Sequence, residues 1–371
     1  MAGTLIKGGI IVPMDGRKRS ISDTALLVVN DRVAAIGDAA SLERDHEPDE
    51  VIDASGKAVL PGFVNNHAHL GPTGLFRGIA EDLSVKDYVA FAIPIMESLT
   101  DEDVEVFSLL GCLEMVKSGN TCANELGPQM DPTGRAVQAC GLRAVLAEDI
   151  HDVEDYASYV TGWDRFDDRV GRERVAAALD VLDRWQGAAD GTITCRLANF
   201  QPLMCTQSLL DETRALADKH GVGINVHALT TPSGGDAARR VFGKDLMLHL
   251  EDIGYLREDV VVVHFCYPTE AEIAAVKRTG AGIVLCSLTD GKSALCPPYD
   301  KLVEASLPLS LGGDWIMMDP GEQMRTTLVM ARVSSGSVDV LSAYDVLEMC
   351  TIGAARVLGL DHEIGSLEVG K

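Results

Sequence analysis

Four histidines and one aspartate stand out for where they sit in the chain. His67 and His69 flank a single alanine in VNNHAHL, straight after an apolar run, in a chain with nine histidines. On a strand, residues i and i+2 face the same side, so both imidazoles point one way, the spacing with which two rings grip one metal ion. Taken alone, such a pair reads equally well as two satisfied or exposed histidines. Three further residues shift that balance. His227 lies near the end of GINVHALT, His264 follows four valines in VVVVHF, and Asp314 closes LPLSLGGDW. A histidine buried behind four valines is most simply explained by a metal or a reaction.

These residues need elements to carry them. Short apolar strands are predicted at Ala58–His69, Asn120–Leu126, Leu142–Ile150, Thr192–Pro202, Val222–Leu229, Val260–Tyr267, Gly282–Asp290 and Leu307–Trp315. Amphipathic stretches such as DEDVEVFSLLGCLEMVKSG, DETRALADKHG and TEAEIAAVKRTG lie between them, each ending in glycine, a helix stop. Eight strands alternating with helices predict an α/β fold, a (β/α)8 TIM-like barrel over residues 59–360, with the chemistry at the C-terminal strand ends. Residues 1–58 read as a small β domain of short β-branched runs broken by Gly and Asn-Asp turns.

Composition narrows the function. The formal net charge of −24 and a pI near 4.7 argue against a nucleic-acid backbone or an anionic membrane as partner. No apolar run reaches the roughly 18 residues of a membrane span, and MAGTLIKGG has no signal-peptide core. The nine cysteines are scattered without a C-x-x-C pair. That predicts free thiols and a cytoplasmic protein. Cys266, two residues past His264, reads as a structural thiol, and Arg77 as the partner of a local carboxylate.

KAVLPGFVNNHAHL, LFRGIAEDL, LLGCLEMVKSGNT, INVHALT, VVHFC, LSLGGDW and IGAARVLGLDHEIGSLEVGK together resemble the amidohydrolase superfamily, in order over nearly the whole chain. The nearest branch is that of adenosine-type deaminases and triazine hydrolases. The resemblance implies a metal-dependent hydrolase: a barrel with a small β-sandwich built from both chain ends, here residues 1–58 joined by 361–371. In the family the chain continues past the segment matching GSLEVGK into further strands. Carried over residue by residue, His67, His69, His227 and Asp314 match the metal ligands. Asp314 also matches the group that takes the proton from water, and His264 the histidine that orients that water or the substrate. The fourth strand, TITCRLANFQP, lacks the lysine with which many relatives hold two metals, so one divalent ion is expected. Three imidazoles and a carboxylate suit Zn²⁺, with Fe²⁺ next. Many relatives form dimers or larger assemblies, which implies a homo-oligomer.

Two departures from the family pattern bear on the substrate. The deaminases usually read H-x-x-E on the fifth strand, and that glutamate protonates a ring nitrogen; here the position is Thr230. A histidine common after the fourth strand is replaced by Phe200. A threonine hydroxyl cannot shuttle a carboxyl's proton near neutral pH. The expected reaction is therefore hydrolysis of a C–N bond in an amide, imide, urea or amidine of a small, nitrogen-rich molecule, expected to be cyclic. The alternatives are deamination of a purine, pyrimidine or triazine with a replaced acid, triazine-type dehalogenation, and a barrel that binds without catalysing. Candidate substrate contacts are Glu97, Glu125, His151, Phe200, Thr230 and Asp290, with Asp149 a further possible acid.

Overall fold

The computed structural model describes residues 3–154, 165–316 and 318–371. Its centre is a ring of parallel strands in chain order: Phe63–Ala68, Asn120–Gly127, Arg143–Ile150, the split pair Ile193–Cys195 and Leu197–Asn199, Ile224–Ala228, Val260–His264, Gly282–Leu285 and Leu309–Leu311. The bridge between Ala68 and Asp314 joins last to first. There Asp314 N–H donates to His67 O at 2.9 Å, and His69 N–H to Asp314 O at 3.2 Å. This is the (β/α)8 barrel the sequence predicted.

The valine run shows why these segments become strands. Val260 to Val263 are all fully buried, as parallel strands covered on both faces must be. Alternate residues serve different cores. Val261 and Val263 join Val64, Cys122, Val145 and Val284 inside the ring, where Ala354, Val357 and Leu358 plug the base. Val260 and Val262 face the helices and pack in the main core with Leu250 and Val276. The helices stop where glycine was read: Asp101–Ser118 ends at Gly119 and Glu270–Thr279 at Gly280, with φ of 91° and 76°, values that only glycine adopts freely.

Several boundaries differ from expectation. The predicted strand Ala58–His69 is two strands, because Pro61-Gly62 interrupts it: Ala58–Val59 pairs with Ile10–Ile11, and only Phe63–Ala68 enters the ring. The predicted strand Gly282–Asp290 ends at Leu285, and Ser287–Lys292 is helical. Asp290 therefore sits on a short helix above the ring rather than at a strand end. The N-terminal segment forms a four-stranded sheet of Gly3–Lys7, Ala25–Val29, Arg32–Gly37 and Glu50–Asp53. It also holds a helix, Ala39–His46, capped by Asp38, which the purely β reading lacked. The chain's last residues pair with this segment: Val33 N–H donates to Lys371 O, and Leu367 N–H to Pro13 O. Among the described residues, no helix is long and apolar enough to cross a membrane.

Candidate active site

The five residues singled out for chemistry converge at the C-terminal mouth of the barrel. His67 Nε2 lies 3.1 Å from His227 Nε2. Asp314 Oδ1 lies 3.3 Å from His69 Nε2 and 3.7 Å from His67 Nε2. The His264 ring stacks 5.5 Å from that of His227.

Local irregularity aims these side chains. Val64 lies in the interior cluster and the Asn66 side chain donates inward to Ala354 O, so regular alternation would turn His67 outward. The pairing with Asn120–Gly127 shifts register between Asn65 and Ala68, and such a bulge re-aims the residue after it. Asn65 Oδ1 secures the turn by accepting from His67 N–H at 3.3 Å and Gly313 N–H at 2.9 Å. Leu229, His264, Phe265 and Asp314 all hold positive φ. Non-glycine residues adopt that region at a cost, and here four of them lie at the ends of ring strands, where such strain clusters functionally.

The surroundings set the protonation states. His69 Nδ1–H donates to Leu126 O at 2.7 Å, and His227 Nδ1–H to Phe200 O at 2.8 Å. With those protons committed, the Nε2 lone pairs point into the cluster. Burial drives His67 and His69 down to about 4 and His227 to about 3, so all three are neutral donors at neutral pH. Burial pushes the Asp314 carboxyl up, but the contacts with His67, His69 and His264 outweigh it and hold the group well below the usual carboxylate range. His264 differs. Burial lowers it, yet the Asp290 carboxylate, which accepts from Nδ1 at 2.9 Å, together with Asp314 raises it overall.

This donor set fits a metal ion. With its own proton at Nδ1, His227 presents an Nε2 lone pair to His67 Nε2 at 3.1 Å, a pair of nitrogens that can share a proton or a cation. A tetrahedral ion with bonds of about 2.0–2.1 Å separates its ligand atoms by about 3.3 Å, close to the observed spacings. The donor atoms of His67, His69 and Asp314 all lie within 4.8 Å of one another, as do those of His67, His227 and His264. Cys286, which the sequence did not single out, has its sulfur within 4.8 Å of ligand atoms of His264 and Asp314. Burial raises that thiol far above its ordinary value. Cys266 is likewise raised by burial and reads as structural.

A cavity of about 100 Å³ opens beside the cluster, lined by His69, His227, His264 and Asp314 together with Phe200, Thr230, Asp290 and Trp315. Phe200, Thr230 and Asp290 line this cavity, Asp290 from the short helix Ser287–Lys292. Two others do not. Both Glu125 carboxylate oxygens lie 3.0 Å from Leu70 N–H, so this buried group secures the turn after His69 and lines an adjoining recess with His69, Met96 and Gly127. His151 Nδ1 pairs with Asp149 at 3.0 Å, and Asp149 accepts from Phe200 N–H; neither belongs to the described wall of the cavity. Glu97 ends the helix Val85–Glu97, and its side chain lies outside the described residues. That helix supplies what the sequence reading missed: Val85, Tyr88, Val89, Ala92 and Met96 wall the cavity. Their helical spacing was visible in VKDYVAFAIPIME, but nothing in it said that the face covers a site. Arg77 pairs with Glu114 at 2.8 Å, as expected of a local ion pair.

A parallel barrel whose mouth gathers imidazoles and a carboxylate is the framework of a metal-dependent hydrolase. Residues 58–371 match the model of the Amidohydrolase family. The chain is 33% identical over 377 residues to a 5'-deoxyadenosine deaminase of Methanosarcina barkeri, covering 100% of this chain and 83% of the relative. It is 32% identical over 383 residues to a 5-methylthioadenosine/S-adenosylhomocysteine deaminase of Symbiobacterium thermophilum, covering 100% and 84%. Among solved structures, an adenosine deaminase from Xanthomonas campestris with bound zinc superposes with a TM-score of 0.90 at 27% identity, covering 100% of this chain and 83% of that one. A triazine hydrolase variant reaches 0.89 at 20% identity, covering 100% and 85%, which speaks to the fold alone. The chain belongs to the Amidohydrolase family, and it is a hydrolase of carbon–nitrogen bonds other than peptide bonds.

Proposed function

We propose that this enzyme hydrolyses an amide- or urea-type C–N bond in a small uncharged molecule with an apolar flank. The observation that carries the reading is the cavity wall. Val85, Val89, Ala92, Met96, Phe200, Leu295 and Trp315 face the reacting centre, and Asp290 and Asp314 are its only lining carboxylates among the described residues. Asp290 is engaged with His264. An apolar wall with few polar anchors favours a ligand to match.

His67, His69, His227 and Asp314 are the residues that would hold the ion, Zn²⁺ before Fe²⁺. A bound ion supplies Lewis acidity that polarises a carbonyl and acidifies water. Asp314, kept ionised by its imidazole neighbours, accepts a proton from the attacking water and passes it to the departing nitrogen. His264, oriented by Asp290, hydrogen-bonds the water or the carbonyl oxygen. Thr230 and Phe200 place neither a carboxyl nor an imidazole at the two wall positions where the deaminases carry proton-handling groups. Residues 1–58 with 361–371 form the side domain in this reading, residues 59–360 the catalytic barrel. A homo-oligomer in the cytoplasm suits the family and the free thiols.

A second reading, deamination of an adenosine-type base, draws support from the named activities of the relatives. The two are separated with zinc-loaded enzyme. The proposal expects release of 4-nitroaniline from 4-nitroacetanilide and no ammonia from 5'-deoxyadenosine. Ammonia from the nucleoside with an inert anilide would transfer the assignment to the second reading.

A further inference from the structure

Tyr88 occupies a place in the cavity that none of the ligands explains. It lies on the helix Val85–Glu97, which crosses the mouth of the barrel. Its ring stacks on Trp315 with centroids 4.2 Å apart and planes 10° from parallel, and it meets Phe76 edge-on at 6.0 Å. Trp315 directly follows Asp314 in the chain, so the stack ties the phenol to the backbone that carries the carboxylate. Tyr88 shares the cavity wall with His69, His227, His264 and Asp314. Among the described residues its hydroxyl has no hydrogen-bond partner. Tyr88 is half-buried, and its hydroxyl opens onto the cavity rather than into the core, so a phenol held between aromatic rings presents its O–H to whatever ligand fills that cavity.

We propose that Tyr88 is a catalytic hydrogen-bond donor, its phenol O–H meeting the substrate heteroatom that gains negative charge as water adds to the reacting carbon. The assignment rests on the hydrolytic reading above. It supplies the polar partner that Thr230 and Phe200 leave missing. Burial, with the Asp314 carboxylate nearby, raises the phenol well above its ordinary value; the proton stays on oxygen and is available to donate. Thr230 is the rival donor in the same wall, but an aliphatic alcohol is intrinsically a weaker hydrogen-bond acid than a phenol. The step transfers no proton to Tyr88 or from it: the phenol stabilises developing charge, as oxyanion-hole donors do.

The test compares the zinc-loaded full chain with Tyr88→Phe and Thr230→Val, using phenylphosphonate, a tetrahedral oxyanion, in calorimetric titration. Tyr88→Phe keeps the ring and its stacking, so its thermal midpoint should match the parent. We expect its affinity for phenylphosphonate to fall at least tenfold, and more than that of Thr230→Val. With 4-nitroacetanilide, kcat should fall about a hundredfold with KM little changed. Parent-like binding by Tyr88→Phe, a larger loss in Thr230→Val, or no binding by the parent overturns the assignment. An inert anilide together with the expected phosphonate loss would instead overturn the amide reading and leave Tyr88 standing.

Discussion

His67 and His227 meet Nε2 to Nε2 at 3.1 Å, although 160 residues separate them in the chain. The two rings come from strands on different sides of the barrel mouth, and Phe200 O takes the outer proton of His227. Two ring nitrogens turned toward each other at the barrel mouth are the geometry on which the proposed cation site rests.

Removing a ligand should therefore remove the ion. His69→Asn and His227→Asn are expected to lose stoichiometric metal by elemental analysis and activity by on the order of a thousandfold. Chelating the parent should also lower its melting temperature, since an ion bound only by the folded state stabilises it by about 4 kcal/mol at a thousand times its dissociation constant. An unchanged melting curve after verified metal removal would contradict this.

Gly312 tests the geometry from behind. A Cβ built there would lie 2.7 Å from His67 Cβ and 3.0 Å from His67 N, with no flexible side-chain end to yield. Gly312→Ala should cost about 1–3 kcal/mol by overpacking and should weaken metal binding, because the strain falls on the ligand's own backbone. Chemical denaturation and zinc titration read the two effects separately.

Asp290 is expected to act through His264. Its Oδ1 accepts from Nδ1 at 2.9 Å, leaving Nε2 toward the mouth. Asp290→Asn should lower kcat by about 10–100-fold, the usual cost of losing an orienting partner, while metal content stays stoichiometric. A variant with parental kcat and pH profile would deny Asp290 this role.

Glu148 should make stability depend on pH. Burial raises its carboxyl to about 7, against the pull of the Met130 and Gln129 amides. The folded state then holds a proton that the unfolded state, titrating near 4.3, has already released. Stability from this group is present below the unfolded value and is lost as pH rises toward 7. Glu148→Gln should flatten that part of the curve of melting temperature against pH between about 4.5 and 7, and a parallel curve would exclude the effect.

The sequence alone determined the periodicity and the chemistry of side chains. Four valines before His264 specify a strand buried on both faces, and glycine after DEDVEVFSLLGCLEMVKS specifies where a helix stops, because both follow from local sterics and burial. The five converging residues were legible for the same reason: each closes a run that reads as a barrel strand. Tertiary structure decided which way they point. His67 faces the mouth only because the register slips at Asn65–Ala68. Asp290 left its predicted strand for a short helix, and Glu125 turned to the Leu70 amide. The cavity wall was hidden too. The apolar face of Val85–Glu97 has the period of any packed helix, and only its placement across the barrel mouth makes it the lining of a site.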